Sequence, residues 1–569
     1  MGARFTIGEI AEATGGVLPG ALGFGSGRSG LMSVSTDTRT LAGGEAFFAL
    51  AGENHDAHDH LAEAAANGAA MLVVSDAGRV PAGYGDAVLV VADVLRAYQD
   101  LAAYHRKRLG VPVIGVTGSV GKTTAKDMIA CILAGRAHVH KTAGNFNNQV
   151  GLPKTILEAG EEVEALVLEM GMERAGEMKR LAGIARPNVA VITSIGVSHR
   201  ENFDSDEGIL NAKFEIASYM GAGDTLVIDS GGDIRLVKLA EAGSRKQGYA
   251  VVCAAEEGTA AASSADYLVS SVRVCGQDAG TARFAIEAKG TGERTEFAVP
   301  LPGSYAGIST ALAVAACGAV TGAQCGALDF GAGRKEGLSC AGQTLRRVRR
   351  GAAERLATAS QSSASASLSE TPCSASRLRH STQSPCYSTQ DTDCRTAPSG
   401  DALAIAAEAL KGLARTPHRL EPIRKGGVLI IDDTYNASPD SAKSGLAYLA
   451  AVPAERRIAV LADMNELGDM SEGFHREVGE EAARLGTDVV FAYGDKAQAI
   501  AEGARDGALN FDASGAEVRY YGTGAKTELI AELCSMVKDG DAVYVKGSRS
   551  MKMEEVVQAL VACEAGEGK

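Results

Sequence analysis

The segment Thr117-Gly118-Ser119-Val120-Gly121-Lys122-Thr123-Thr124 follows directly on the apolar run Val111-Pro112-Val113-Ile114-Gly115-Val116. That order is a buried strand, a glycine turn and a helix opening at Thr123, which is the arrangement needed to cradle a nucleotide phosphate. Glycines let backbone N–H groups approach phosphate oxygens, and the helix start adds its positive dipole end. In such a loop Lys122 reaches the β/γ-phosphates and the Thr123 hydroxyl faces Mg²⁺. The general pattern wants a glycine five residues before Gly121, where this chain has Val116. Gly118 supplies the first loop glycine instead, so the loop is the shorter TGxxGKT form. A chain so equipped is expected to hydrolyse ATP or to transfer from it.

A length of 569 residues exceeds one core, and at about 150 residues per domain three or four domains are expected. The net charge of −14 argues against general nucleic-acid binding, which needs a basic face. No run approaches the ~18 apolar residues of a membrane span, and the N-terminus lacks a signal-peptide layout. The eleven cysteines contain no CxxC pair. Their spacing predicts neither a zinc site nor a disulfide framework, and points to a reducing, cytoplasmic setting.

Short apolar strands alternate with helical patterns through most of the chain, which predicts α/β domains with mostly parallel sheets. Residues 1–105 form a first domain with strands such as Ala46–Leu50 and Met71–Val74. Residues 106–323 form a central domain carrying the phosphate loop. From Val428 a second alternating block runs to the end and predicts a doubly wound, Rossmann-like unit within 401–569, the central domain ending at about 401–415. Residues 324–400 are serine-rich, locally basic and without apolar periodicity, so they are expected to be a disordered insertion.

Candidate partners for the phosphate loop stand at strand ends, where an open parallel sheet gathers ligands. Glu169 follows the strand Ala165–Leu168 and is the type of hard ligand that Mg²⁺ takes. His199 and Glu201 follow the strand Val189–Ile192, and Lys213 lies on the next helix. Asn145, Asn147 and Asn148 sit among glycines, either as turn residues or as amides that orient a ligand. In the last block Asp432-Asp433-Thr434-Tyr435-Asn436, Asp463 and Lys546-Gly547-Ser548-Arg549 also lie at strand ends, suited to ribose, amine or anion recognition or simply to helix capping.

TGSVGKTT, GNFNNQVGLP, LEMGM, SHRENF, AKFEI, IDDTYNASPDS, ADMNELGDM and VKGSRSMKME occur in that order, and together they resemble the Mur ligases. IDDTYNASPDS and KGSRSMKM are similar to the family's dipeptide-adding branch. The resemblance implies three α/β domains and an ATP- and Mg²⁺-dependent ligase of peptidoglycan precursor synthesis. It would join D-alanyl-D-alanine to UDP-N-acetylmuramoyl-tripeptide through an acyl phosphate, as a cytoplasmic monomer. It implies that Thr117 to Thr124 bind ATP and that Thr123, Glu169 and His199 hold the metal. Lys122, His199 and Lys213 would be catalytic, Lys213 as a carbamylated lysine. The substrates would be met by Ser35, Thr36, Asp37 and Arg39 of the uridine-nucleotide domain, by Asn145, Asn147 and Asn148, and by Asp433, Tyr435, Asn436 and Arg549. One segment departs from the family. Where it usually has G-R-H-N-x-x-N-A against adenine, this chain reads Gly303-Ser304-Tyr305-Ala306-Gly307-Ile308-Ser309-Thr310, and Asp229-Ser230 stands where Asn-Ala is usual. A catalytically weak paralogue that binds UDP-muramyl peptide or a partner, and a folylpolyglutamate-synthetase-like ligase, are the alternatives.

Overall fold

The computed structural model describes residues 2–18, 30–52, 54–82, 84, 87–197, 200–270, 272–274, 280–303, 305–321, 402–510 and 516–563. The expected insertion 324–400 and the candidate ligand His199 lie outside the described residues.

Three sheets organise the chain. The first is a parallel sheet of Val34–Ser35, Ala46–Phe48, Met71–Val74 and Ala87–Val90, in that order. Every residue of its two central strands is buried, as a sheet covered on both faces requires. A helix, Val94–Leu109, leads out of it. Asp93 caps the start by accepting a bond from Arg96 N–H at 2.9 Å, and Gly110 ends it in the left-handed region. Its buried apolar residues Val94, Ala97, Tyr98, Leu101, Ala102 and Leu109 recur at helical spacing and make one stripe, with Gln99 and His105 buried beside them.

That stripe has consequences for domain structure. Phe5, Ile10 and Phe48 from the first sheet's side belong to the same buried cluster as Leu101, Leu152, Leu166 and Ile192 from the second. Arg106 reinforces the joint by donating to the carbonyls of Ala185 and Arg186 at 2.8 and 2.6 Å.

The second sheet runs Val139–Lys141, Ala165–Glu169, Val113–Thr117, Val189–Ile192, Thr225–Asp229, Ala250–Glu256 and Tyr267–Val269, all parallel. An antiparallel extension of Ala282–Ala288, flanked by Arg273–Val274 and Glu293–Val299, completes it. Val113–Thr117, the strand that feeds the phosphate loop, is central and wholly buried. The third sheet orders Glu421–Lys425, Val428–Asp433, Asp541–Lys546, Arg456–Ala462, Val489–Tyr493 and Glu517–Tyr521, parallel except for the first. The α/β architecture read from the sequence is therefore present, with three sheets.

Two details differ from expectation. Glu169 is the last residue of its strand, not the first residue after it, and is buried. Cysteine spacing gave no sign of a bridge, yet Cys534 and Cys563 form a disulfide with their Cα atoms 6.4 Å apart. The reason is tertiary: the helices Lys526–Met536 and Glu554–Ala562 pack together and bring their C-terminal ends close. Among the described residues no helix is long and apolar enough to cross a membrane.

Candidate active site

The phosphate loop turns between the strand ending at Thr117 and the helix Lys122–Ala134. Gly118 has φ +146°, and a Cβ there would lie 2.1 Å from Thr193 Oγ1, so backbone conformation and space both demand glycine. Neighbouring residues fix the loop from below. Ser119 N–H donates to Ser194 O at 2.9 Å, and Val120 N–H to Ser194 Oγ at 2.9 Å. Thr193 Oγ1 donates to Val120 O at 2.6 Å. These bonds tie the loop to the segment Thr193–Ser194.

Lys122 folds back over this loop, donating to Gly118 O at 2.8 Å and Ser119 O at 3.3 Å. Lys213, on the helix Asp206–Phe214, donates to the same Gly118 carbonyl at 3.3 Å. Burial pushes the Lys213 amine well below the usual lysine range, and the positive Lys122 pushes it further. Burial lowers Lys122 as well, while Glu169 opposes the shift and Arg419 adds to it. Neither amine makes a direct ion pair with a carboxylate among the described residues; both donate to the Gly118 carbonyl instead.

Below the mouth of the loop, Thr123 Oγ1 donates to Glu169 Oε2 at 2.9 Å. Asn147 Nδ2 donates to the other carboxylate oxygen at 2.8 Å. Lys126, one helical turn beyond Lys122, is buried 3.9 Å from Glu169 and donates to Thr142 O at 2.9 Å. Thr142 Oγ1 in turn accepts the Glu169 N–H at 3.0 Å. The asparagine cluster thus divides its labour. Asn148 caps the helix Gly151–Glu158 through Val150 and Gly151 N–H, whereas Asn147 reaches into the charged centre.

The third domain supplies the opposite wall of a cleft of about 490 Å³. Asp433 and Lys546 end adjacent parallel strands and form a buried ion pair at 2.5 Å, and Tyr544 Oη donates to the same carboxylate oxygen at 3.0 Å. Lys546 also donates to Asn436 O at 3.0 Å. Arg419, on the linker into the third domain, stacks 4.0 Å over the Tyr435 ring and lines the cleft. Tyr305, at the start of the helix Tyr305–Thr321, packs against the apolar core of the third domain. Ser309, one turn further on, is buried beside Gly121.

Most expected residues converge here: Gly118 to Thr124, Asn145, Asn147, Asn148, Glu169, Lys213, Asp433, Tyr435 and Asn436 all line the cleft. Others stand apart. Thr117 lies beneath the loop with its hydroxyl buried and unpartnered. Arg549 is exposed beside Glu554 at 3.4 Å, outside the cleft lining. Ser35, Thr36, Asp37 and Arg39 sit at the first sheet, where Arg39 pairs with Asp37 at 2.6 Å and holds its carboxyl down at about 2. Asp37 also feels Lys154 of the helix Gly151–Glu158, so this loop faces the asparagine segment. Sequence reasoning missed Arg419, Lys126 and Tyr305 as cleft or charge-network residues. Lys126 carried a signal in its four-residue spacing from Lys122 on one helix and Tyr305 in its place in the segment that departs from the family, whereas Arg419 carried none.

A phosphate loop facing a Rossmann-like wall across a cleft lined by Lys122, Arg419 and Lys546 on one hand and Glu169 and Asp433 on the other defines the class of an ATP-using enzyme. Comparison with known proteins sharpens this. Residues 116–318 match the Mur ligase middle domain, and residues 418–549 the Mur ligase glutamate ligase domain. The UDP-N-acetylmuramoyl-tripeptide–D-alanyl-D-alanine ligase of Bacillus subtilis is 33% identical over 531 residues, covering 93% of each chain. The ligase of the same name from Escherichia coli is 29% identical over 558 residues, covering 98% of each. A crystal structure of MurF from Acinetobacter baumannii is similar over 99% of each chain, at 25% identity and a TM-score of 0.72. The chain belongs to the Mur ligase family.

Proposed function

We propose that this protein joins D-alanyl-D-alanine to UDP-N-acetylmuramoyl-tripeptide at the expense of ATP, in peptidoglycan precursor synthesis. The observation that carries this reading is the hydrogen-bonded chain Thr123–Glu169–Asn147, which ties the phosphate loop to the segment proposed to hold the tripeptide. Likeness to the B. subtilis ligase over 93% of both chains supports the substrate pair.

In this reading the tripeptide's terminal carboxylate attacks the γ-phosphorus of ATP, and ADP leaves. The amine of D-alanyl-D-alanine then attacks the acyl carbon and the phosphate departs. Lys122 exchanges its loop carbonyls for the β/γ-phosphates, and Arg419 offers a second cation from the facing wall. The Thr123 hydroxyl and Glu169 carboxylate are oxygen donors of the kind Mg²⁺ takes, and they fit that ion, with His199 as a further ligand. When bound it would neutralise charge on the transferring phosphoryl group. Burial disfavours the charged form of Lys213, which favours the neutral amine that reacts with CO₂ to give the family's carbamate. Asn147 orients the tripeptide, and Asp433, Tyr435, Asn436 and Arg549 meet the dipeptide side on closure. Ser35, Thr36, Asp37 and Arg39 receive the uridine nucleotide.

The division into domains 1–105, 106–323 and 401–569, a monomeric state and a cytoplasmic location belong to the same proposal. Phosphate release by the purified protein tests it. Turnover should require both UDP-N-acetylmuramoyl-tripeptide and D-alanyl-D-alanine, and Lys122→Ala should abolish it while leaving UDP-substrate binding in place. Tight UDP-substrate binding without turnover would instead mark a binding paralogue.

A further inference from the structure

Asp440 is the second residue of the helix Pro439–Ala451 in the third domain, capped by Ser438. Its carboxylate leaves its own domain and accepts Val197 N–H of the central domain at 3.3 Å. It lies against the Cα of Gly196, where a Cβ would come within 2.0 Å of Asp440 Oδ2 and 3.2 Å of Ser119 Cβ. Ser119 is a phosphate-loop residue. Its hydroxyl accepts Gly196 N–H at 2.7 Å and donates to Gly196 O at 3.1 Å. Three elements therefore converge on one glycine: the phosphate loop, the segment after Val189–Ile192, and the first turn of a third-domain helix. Glu201 N–H donating to Glu466 O at 3.3 Å gives the seam a second, backbone-only contact.

We infer that Asp440 is a positioning residue that fastens the third domain to the phosphate loop through Gly196, coupling nucleotide binding to domain closure. A carboxylate accepting a backbone N–H in a half-buried seam is a charge-assisted bond, stronger than the neutral Glu201–Glu466 contact. The side chain reaches that N–H only because residue 196 has no Cβ. Ordering of the loop by phosphate would also order Ser119, and with it the surface that Asp440 grips. The inference rests on the reading that this cleft binds ATP.

The test uses the full chain and the Mg²⁺ complex of a non-hydrolysable ATP analogue, with affinity read by calorimetry and closure by small-angle scattering. Asp440→Ala should weaken the analogue about ten- to hundredfold, the worth of a hydrogen bond to a charged group. It should remove the compaction that the analogue causes and leave UDP-tripeptide affinity unchanged. Asp440→Asn keeps an accepting oxygen but loses the charge, and should fall between the parent and Asp440→Ala. Gly196→Ala should weaken the analogue in the parent, yet change it less than about twofold in the Asp440→Ala background. Additive effects of the two substitutions would overturn the inference. So would Asp440→Asn behaving like Asp440→Ala, or Asp440→Ala still compacting with parental affinity. If the unaltered protein bound no nucleotide, the functional reading itself would fall, and this inference with it.

Discussion

The Thr123 hydroxyl donates to Glu169 Oε2 at 2.9 Å, joining the first turn of the phosphate-loop helix to the end of the neighbouring strand. Both groups are buried; Glu169 Oε2 takes its bond from Thr123 while Oε1 takes one from Asn147. Thr123→Val keeps the shape and removes the bond. Titration of activity against Mg²⁺ should show a requirement raised about ten- to hundredfold, the usual cost of disturbing a ligand's support. UDP-substrate affinity, measured by calorimetry, should not change.

Lys213 is a buried amine whose folded state resists protonation. Between its lowered folded pKa and the unfolded lysine value, the unfolded chain binds the extra proton, so this residue subtracts stability as pH falls. Lys213→Met should therefore abolish ligation and yet raise the melting temperature, by about 2–4 °C for each kcal/mol gained. A variant that lost stability along with activity would contradict the charge argument.

Two histidines make the fold acid-sensitive. His475 accepts Met464 N–H on Nε2 at 2.9 Å and donates from Nδ1 to Ser471 O at 2.6 Å, which fixes the neutral ring. His105 donates from Nε2 to Ala159 O at 2.8 Å, with Nδ1 buried and unpartnered. Burial lowers both pKa values. Below the unfolded value of about 6.5 the unfolded chain takes up protons that the native state refuses, so stability is lost as pH falls from 7 to 5. Thermal melts across that range should show the loss, and the pair His105→Gln and His475→Gln should flatten it.

The buried pair Lys546–Asp433 should respond asymmetrically. Lys546→Met strands a carboxylate and is expected to cost about 3–5 kcal/mol in urea unfolding. Adding Asp433→Asn should recover part of that loss, because the remaining polar group is neutral. Activity should return with neither.

How far the sequence reveals this site depends on the range of the contact. The phosphate loop was legible because strand, glycines and helix are consecutive, and their geometry is local. Glu169 was legible as a candidate because strands end where ligands gather, but its burial was not, since that depends on Lys126, Thr142 and Asn147 closing around it. Asn147 and Asn148 look alike in sequence and do different work, one bonding a carboxylate and the other capping a helix. Arg419 had no motif to mark it, because a linker arginine gains meaning only from the tyrosine it stacks on. Tyr305 stands where the family keeps an adenine contact. Only the fold shows that it packs on the third domain. The Cys534–Cys563 bridge was invisible for the same reason, since two helix ends meet only after folding.

Phe5, Ile10 and Phe48 share one buried cluster with Leu152, Leu166 and Ile192. A common interior leaves no seam between the first two sheets, so the uridine end of the substrate and the phosphates of ATP would be gripped by one rigid jaw. A swing of the third domain against that jaw would then be the motion that completes the site. Two reactants would dock on a fixed surface and the dipeptide would arrive last, making the timing of attack a property of a single hinge.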